Sequence, residues 1–208
     1  MTPATANGAG TISFFFDPSC PWTWITSRWF VEVTARRQLE VRWRAFSLTC
    51  INEGREVPEH KVDPMAHGQR ALRVIESLGA EGRHCDAGRF YSELGARLHR
   101  RGEPAGDATI AAAGAASGVD DASARADDEQ WDPLVRCAYD EIHTVLGDDV
   151  GSPALRLDAT GNALFGPIVS PAPTGDDADR MLDATLALLA VPEFFELKRS
   201  RTTGPNFS

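Results

Sequence analysis

The stretch Thr11-Ile12-Ser13-Phe14-Phe15-Phe16-Asp17-Pro18-Ser19-Cys20-Pro21-Trp22-Thr23 decides the fold. Thr11 to Asp17 is a short apolar run with three consecutive phenylalanines, bounded by Gly10 and by Asp17-Pro18. It is too short for a helix and reads as a fully buried strand. After Cys20, residues Ile25, Trp29 and Val33 recur every four positions with Phe30 beside them. That spacing predicts a helix running to Arg37. Pro21 falls in its first turn, where the missing N–H would have had no partner anyway. Leu39 to Leu48 alternates apolar and polar residues and predicts a second strand. Strand, helix and strand make a βαβ unit, which favours parallel pairing.

Outward from this unit the pattern changes. Met65–Leu78, Ala87–Arg100, Asp107–Ala116 and Glu129–Leu146 carry helical periodicity, with breaks at Gly102–Gly106 and Ser117–Asp121. Strand signals return at Ala154–Leu157 and Ala163–Phe165, around an Asp-Ala-Thr-Gly turn of the kind hairpins favour. Gly175–Val191 is a closing helix with Met181, Leu182, Thr185, Leu186 and Leu189 on one face. The order βαβ, helices, ββα predicts an α/β chain of thioredoxin type. Residues 11–62 and 148–192 would form the thioredoxin-like domain, and 63–147 an inserted α-helical domain. Residues 1–10, small and polar, read as a disordered tail with no signal-peptide pattern. Residues 193–208 form a C-terminal segment with the pair Phe194-Phe195 and the basic run Lys198–Arg201, which could neutralise a carboxylate of a bound thiol or substrate but reads first as a solvated tail.

Bulk properties narrow the function. A length of 208 residues suits one domain with an insertion, and 42% apolar with 25% charged residues is ordinary for a globular protein. The net charge of −9 argues against nucleic acid as partner. No apolar run is long enough to cross a membrane, so a cytoplasmic protein with reduced cysteines is expected. The cysteines stand at Cys20, Cys50, Cys85 and Cys137, with no short-spaced pair of the zinc-site kind. No Gly-x-Gly-x-x-Gly follows a strand, so neither a metal nor a flavin or nicotinamide motif is present. Arginine far outnumbers lysine, whose only positions are Lys61 and Lys198, a bias that hints at a GC-rich, actinobacterial source.

Cys20 follows a strand and opens a helix, where unpaired N–H groups and the helix dipole favour thiolate over thiol; a low pKa is the expectation. Thr23 occupies the position at which a dithiol motif has its second cysteine. Its hydroxyl or N–H can donate to the sulfur, and a one-thiol mechanism remains. The competing reading is a buried, inert cysteine. Gly151-Ser152-Pro153 precedes the hairpin, and a cis Pro153 would turn that loop toward the thiol. Local sequence alone favours an ordinary trans proline, since only about 5–6% of such bonds are cis. His99 near a helix end reads locally as a capping or surface histidine. Asn52 reads as a turn residue. Of Trp22 and Trp24, one should lie over the site and the other be buried. Cys50, Cys85 and Cys137 read as buried or incidental thiols, with Cys50 a candidate distant resolving thiol.

These residues together resemble the DsbA-like branch of the thioredoxin superfamily. Phe16 to Trp29 looks like the actinobacterial mycothiol-dependent nitroreductase family, with Cys-Pro-Trp-Thr in place of Cys-Pro-Trp-Cys. So do Ser47-Leu48 with Asn52-Glu53, Gly95 to His99, Asp149 to Pro153, Phe165-Gly166-Pro167 and Phe194 to Arg199. The resemblance implies a thioredoxin fold with an α-helical insertion, a cis Pro153 opposite Cys20, and often a homodimer. It also implies a catalytic Cys20 working with the low-molecular-weight thiol mycothiol, in a pocket lined by Trp22, Asn52 and His99. The expected function is reduction of a small electrophilic, nitro or disulfide substrate through one cysteine. Cys20 and Thr23 would be catalytic, and Pro21, Trp22, Asn52, His99, Ser152 and Pro153 would bind substrate or thiol. Two alternatives stand beside it. One is thiol transfer or thiol-assisted isomerisation, as in kappa-class glutathione transferases and chromene-carboxylate isomerases of the same architecture. The other is a non-catalytic ligand-binding homologue.

Overall fold

A computed structural model describes residues 10–207. The predicted tail, residues 1–10, therefore lies outside the described residues except for Gly10. Strands β1 (Ile12–Phe16), β2 (Val41–Ala45), β3 (Ala154–Leu157) and β4 (Ala163–Phe165) form one sheet in the order β2-β1-β3-β4. β1 runs parallel to β2 and antiparallel to β3, with Phe14 opposite Trp43 and Leu155. β3 and β4 close as an antiparallel hairpin. All five residues of β1 are buried, which is why this strand takes the interior of the sheet. Side chains alternate across a strand. Ile12, Phe14 and Phe16 therefore enter a large cluster with Trp29, Phe30, Trp43 and Tyr91, while Phe15 enters a second with Phe46, Tyr139, Ile142 and Ala154.

Helix α1 (Pro21–Arg37) joins β1 to β2. The next strand ends at Ala45 rather than Leu48, because Ser47 caps a short helix α2 (Leu48–Ile51) by accepting the Cys50 N–H at 3.1 Å. α3 (Glu59–Ala80) begins one to two turns earlier than the expected Met65, with Pro64 accommodated near its start. α4 (His84–Gly95) continues into a π-helical turn, Ala96–Arg100, and α5 (Asp107–Ser117) follows. α6 (Ala122–Asp127) is a short helix that periodicity did not reveal, and α7 (Asp132–Leu146) leads to β3. α8 (Gly175–Leu189) packs on α1, where the Trp29 indole donates to Ala178 O at 3.0 Å.

One buried carboxylate fastens the helices to the sheet edge. Glu76 of α3 accepts the Ala45 N–H at 2.6 Å and pairs with Arg44 at 3.2 Å. An edge strand leaves N–H groups without strand partners, and Glu76 satisfies one of them.

Candidate active site

Cys20 is the N-cap residue of α1, with extended backbone angles (φ −85°, ψ 111°) and Pro21 directly after it. Its N–H donates to Asp17 O at 3.1 Å, and its carbonyl accepts the Trp24 N–H at 3.1 Å, which closes the first turn. The side chain is half-buried, with Sγ 3.9 Å from Ser152 O. The Ser152–Pro153 peptide is cis, and both residues are buried. The loop before β3 thus faces the thiol.

A chain of polar groups ends on that thiol. The Asp17 N–H donates to Ser152 Oγ at 3.0 Å, and Ser152 Oγ lies 2.8 Å from Thr23 Oγ1. A hydroxyl has one proton and two lone pairs, so when Thr23 donates to Cys20 the Ser152 hydroxyl, which already accepts the amide, can donate to Thr23. Both the Thr23 hydroxyl and the Thr23 N–H act on Cys20. Thr23 is fully buried, so its hydroxyl has no competing water.

These donors do not produce the low pKa expected of a helix N-terminus. Burial pushes the Cys20 thiol up and outweighs the Thr23 hydroxyl and N–H; Asp17 adds to the upward push and the Trp22 N–H opposes it. Removing a thiolate from water costs more than the helix end returns.

Asp17 is a site residue that sequence reasoning passed over. Its carboxylate is buried and accepts three hydrogen bonds, from Ser19 N–H (2.8 Å), Ser19 Oγ (2.6 Å) and Leu48 N–H (2.8 Å). It joins the end of β1, the turn into α1 and the start of α2. Burial raises its pKa against these three bonds. Gly68 of α3 lies against it: a Cβ there would stand 2.6 Å from Asp17 Oδ1. The available signal was an aspartate two residues before a serine, the pattern of an Asx turn.

His99 lies in the π-helical turn and braces the same loop. Its Nε2 is 2.9 Å from Pro18 O, and a carbonyl only accepts, so Nε2 carries the proton. Burial holds its pKa low, leaving the ring neutral. The ring stacks on Phe207 at 6.0 Å and 19° and lies 5.9 Å from Trp24. His99 is therefore half-buried and holds the Pro18 turn rather than capping its own helix. Trp24 is buried, and Gly95 permits its approach, since a Cβ at Gly95 would stand 1.8 Å from Trp24 Cδ1. Trp22 is half-buried with the Arg201 guanidinium 4.6 Å from its ring centre.

Cys20, Pro21, Thr23, Ser152 and Pro153 thus converge, with His99 one residue contact away through Pro18. Asn52 does not point into this group: its Nδ2 donates to Leu48 O at 2.8 Å at the end of α2. Cys50 is buried in the Phe15–Phe46–Tyr139 cluster, and Cys85 and Cys137 are exposed. All four cysteines are free, and the described residues contain no group of three or more side chains arranged to hold a metal. No helix among them is long and apolar enough to cross a membrane.

A cysteine capping the first helix of a βαβ unit, facing a cis-proline loop, with a run of helices between β2 and β3, defines a DsbA-like thioredoxin-fold protein. Residues 19–199 match the Rv2466c-like family, described as mycothiol-dependent nitroreductase Rv2466c, and the chain belongs to that family. It is 29% identical over 202 residues to the uncharacterized protein Rv2286c of Mycobacterium tuberculosis, covering 92% of this chain and 83% of the relative. Among solved structures it is similar to the cytosolic disulfide reductase DsbM from Pseudomonas aeruginosa. There the TM-score is 0.56 and the identity 17%, over 86% of this chain and 99% of the other. It is also similar to a 2-hydroxychromene-2-carboxylate isomerase, with a TM-score of 0.57 and 15% identity over 86% and 96% of the two chains. At those identities the likeness concerns the fold.

Proposed function

We propose that this protein is a cytoplasmic thiol oxidoreductase that uses Cys20 alone, with mycothiol as co-substrate, to reduce a small electrophilic molecule. The observation that carries this reading is the Asp17–Ser152–Thr23 chain ending on Cys20, where dithiol relatives have a second sulfur. A hydroxyl cannot resolve a disulfide, but it stabilises the thiolate that forms when one breaks. Mycothiol supplies two electrons per turnover, two thiols becoming one disulfide.

For a disulfide substrate the steps balance as follows. The Cys20 sulfur attacks one substrate sulfur, its proton passes to the departing thiol, and a mixed disulfide forms on Cys20. Attack by a mycothiol thiol on the substrate sulfur of that bond returns the proton to Cys20. A second mycothiol then releases the second substrate thiol in solution. A nitro group takes the same two electrons and two protons to give nitroso and water. Thr23 donates to Cys20 whenever it leaves as thiolate, the Ser152 loop holds Thr23 in place, and His99 fixes the Pro18 turn from behind.

One observation favours a second reading. Burial pushes the Cys20 thiol up, which disfavours a preformed thiolate in the resting site. A bound mycothiol held by the same donors, with Cys20 a bystander, would give transfer or isomerisation instead. Intact mass after incubation with oxidised mycothiol separates the two. A single mycothiol adduct, mapped to Cys20 and lost in Cys20→Ser, is expected. No adduct, together with full turnover by the Cys20→Ser variant, would overturn the single-thiol mechanism.

A further inference from the structure

The C-terminal segment does not trail into solvent. Phe207 stacks on His99 and lies 6.0 Å from Trp24, the Asn206 N–H donates to Ser170 Oγ at 2.8 Å, and Arg201 covers Trp22. Between this segment and the stretch from Phe165 to Pro173 lies a cavity of about 890 Å³, within the range of small-molecule sites. Trp22, two residues along α1 from Cys20, lines it, while Cys20 itself does not.

The lining has a charge pattern unlike the rest of the protein. Lys198, Arg199 and Arg201 line the cavity, and no carboxylate does. In a chain of net charge −9, most arginines are paired with an acid, whereas among the described residues these three cations make no ion pair. The lining also includes the apolar side chains Trp22, Pro167, Ile168 and Met181, with Arg201 over the Trp22 ring. Guanidinium groups bind carboxylate and related oxyanions through paired, charge-assisted hydrogen bonds, and a concave apolar wall strengthens the field of the cations above it.

We infer that this cavity binds the electrophilic substrate, and that the substrate is a planar, apolar molecule bearing an anionic group such as a carboxylate. The ring lies against Pro167, Ile168 and Met181, and the anion is met by Arg199, Arg201 and Lys198. The inference rests on the proposed function for the direction in which the substrate faces, toward Cys20. The cations belong to the substrate because mycothiol, an N-acetylcysteinyl aminosugar inositol, carries no carboxylate of its own.

Binding of 4-nitrobenzoate and of 4-nitrobenzamide to the Cys20→Ser protein, followed by calorimetry, tests it with no thiol chemistry involved. The two probes share ring and shape and differ in charge. The benzoate is expected to bind about tenfold more tightly at low salt, with the preference shrinking as salt is added. The Lys198→Gln/Arg199→Gln/Arg201→Gln variant, altered only at exposed positions, is expected to bind both probes equally. Equal affinity for both probes in the unmodified segment, a preference for the amide, no binding of either, or a benzoate preference that survives the triple substitution overturns the inference. The salt series on the unmodified segment keeps the test valid if the triple variant is unstable. Failure of the proposed chemistry appears elsewhere, as a missing Cys20 adduct, and leaves these affinities unchanged.

Discussion

Replacing Thr23 by valine keeps the shape of the side chain and removes the hydroxyl that acts on Cys20. The effect on the thiol follows from the arrangement. A hydrogen bond to a charged group contributes about 1.5–3 kcal/mol, and one pKa unit corresponds to about 1.36 kcal/mol. Thr23→Val should therefore raise the Cys20 pKa, already elevated by burial, by about one to two units. The Ser152 hydroxyl loses its acceptor at 2.8 Å, at a cost of about 1–3 kcal/mol that a domain of this size tolerates. The assay is the rate of iodoacetamide alkylation against pH, resolved by peptide mass spectrometry, with exposed Cys85 and Cys137 as internal references. At a fixed pH below the midpoint, Cys20 should react about ten- to a hundredfold more slowly in Thr23→Val, while the reference cysteines are unchanged. Thr23→Ser retains the hydroxyl and should titrate close to the parent. A Thr23→Val midpoint equal to or below the parent's, or a Thr23→Ser midpoint as high as valine's, would refute the hydroxyl chain as the source of thiolate stabilisation.

Asp17→Asn should move the same titration the other way, because the carboxylate's charge raises the thiol. It should also cost about 1–3 kcal/mol in urea unfolding, since an amide N–H₂ would face the N–H of Leu48 or Ser19. Gly95→Ala drives a methyl group to 1.8 Å from Trp24 in a filled core. It should destabilise by about 1–3 kcal/mol or more, lowering Tm by about 2–4 °C for each kcal/mol, and an unchanged melt would contradict the tight contact. Buried His67, together with His84 and His99, resists protonation in the folded state. The unfolded chain binds protons at the ordinary value near 6.5 while the folded chain does not, so stability should fall as pH drops below about 7 and level off beneath the folded values. His67→Leu, which removes an imidazole whose two nitrogens have no hydrogen-bond partner, should flatten the difference in urea midpoint between pH 7.5 and pH 6.

The parts of this fold legible in the sequence are those set by neighbours along the chain. β1 is a run of apolar residues buried on both faces, and the hairpin strands fall at Ala154–Leu157 and Ala163–Phe165 as their flanking turn residues indicate. Cys20 at a helix start needs only the strand before it and Pro21 after it. What escaped is set across the chain. Asp17 matters because Leu48 donates to its side chain and its own N–H donates to Ser152, contacts spanning 31 and 135 positions. Asn52 turns away because its amide is spent on the Leu48 carbonyl one helical turn back. The expectation of an acidic Cys20 failed for the same reason. A helix end is a local feature that lowers a thiol's pKa, whereas burial depends on everything packed around it, here the Ser152–Pro153 loop and the buried Asp17 carboxylate.

The elevated thiol and the missing second cysteine belong to one design. In a dithiol site the second sulfur must reach the first, so the first must leave readily and remain accessible to its neighbour. Here Thr23, fully buried against Ser152, offers no sulfur, so in the proposed mechanism every electron arrives from a molecule entering the site. A resting thiol that stays protonated resists adventitious oxidation. On the proposed mechanism it becomes reactive when an incoming electrophile accepts its charge, and the Thr23 hydroxyl stabilises the thiolate on departure. On that mechanism, reactivity is tied to occupancy of the site, and the inferred role of the C-terminal cations is to set which molecules occupy it.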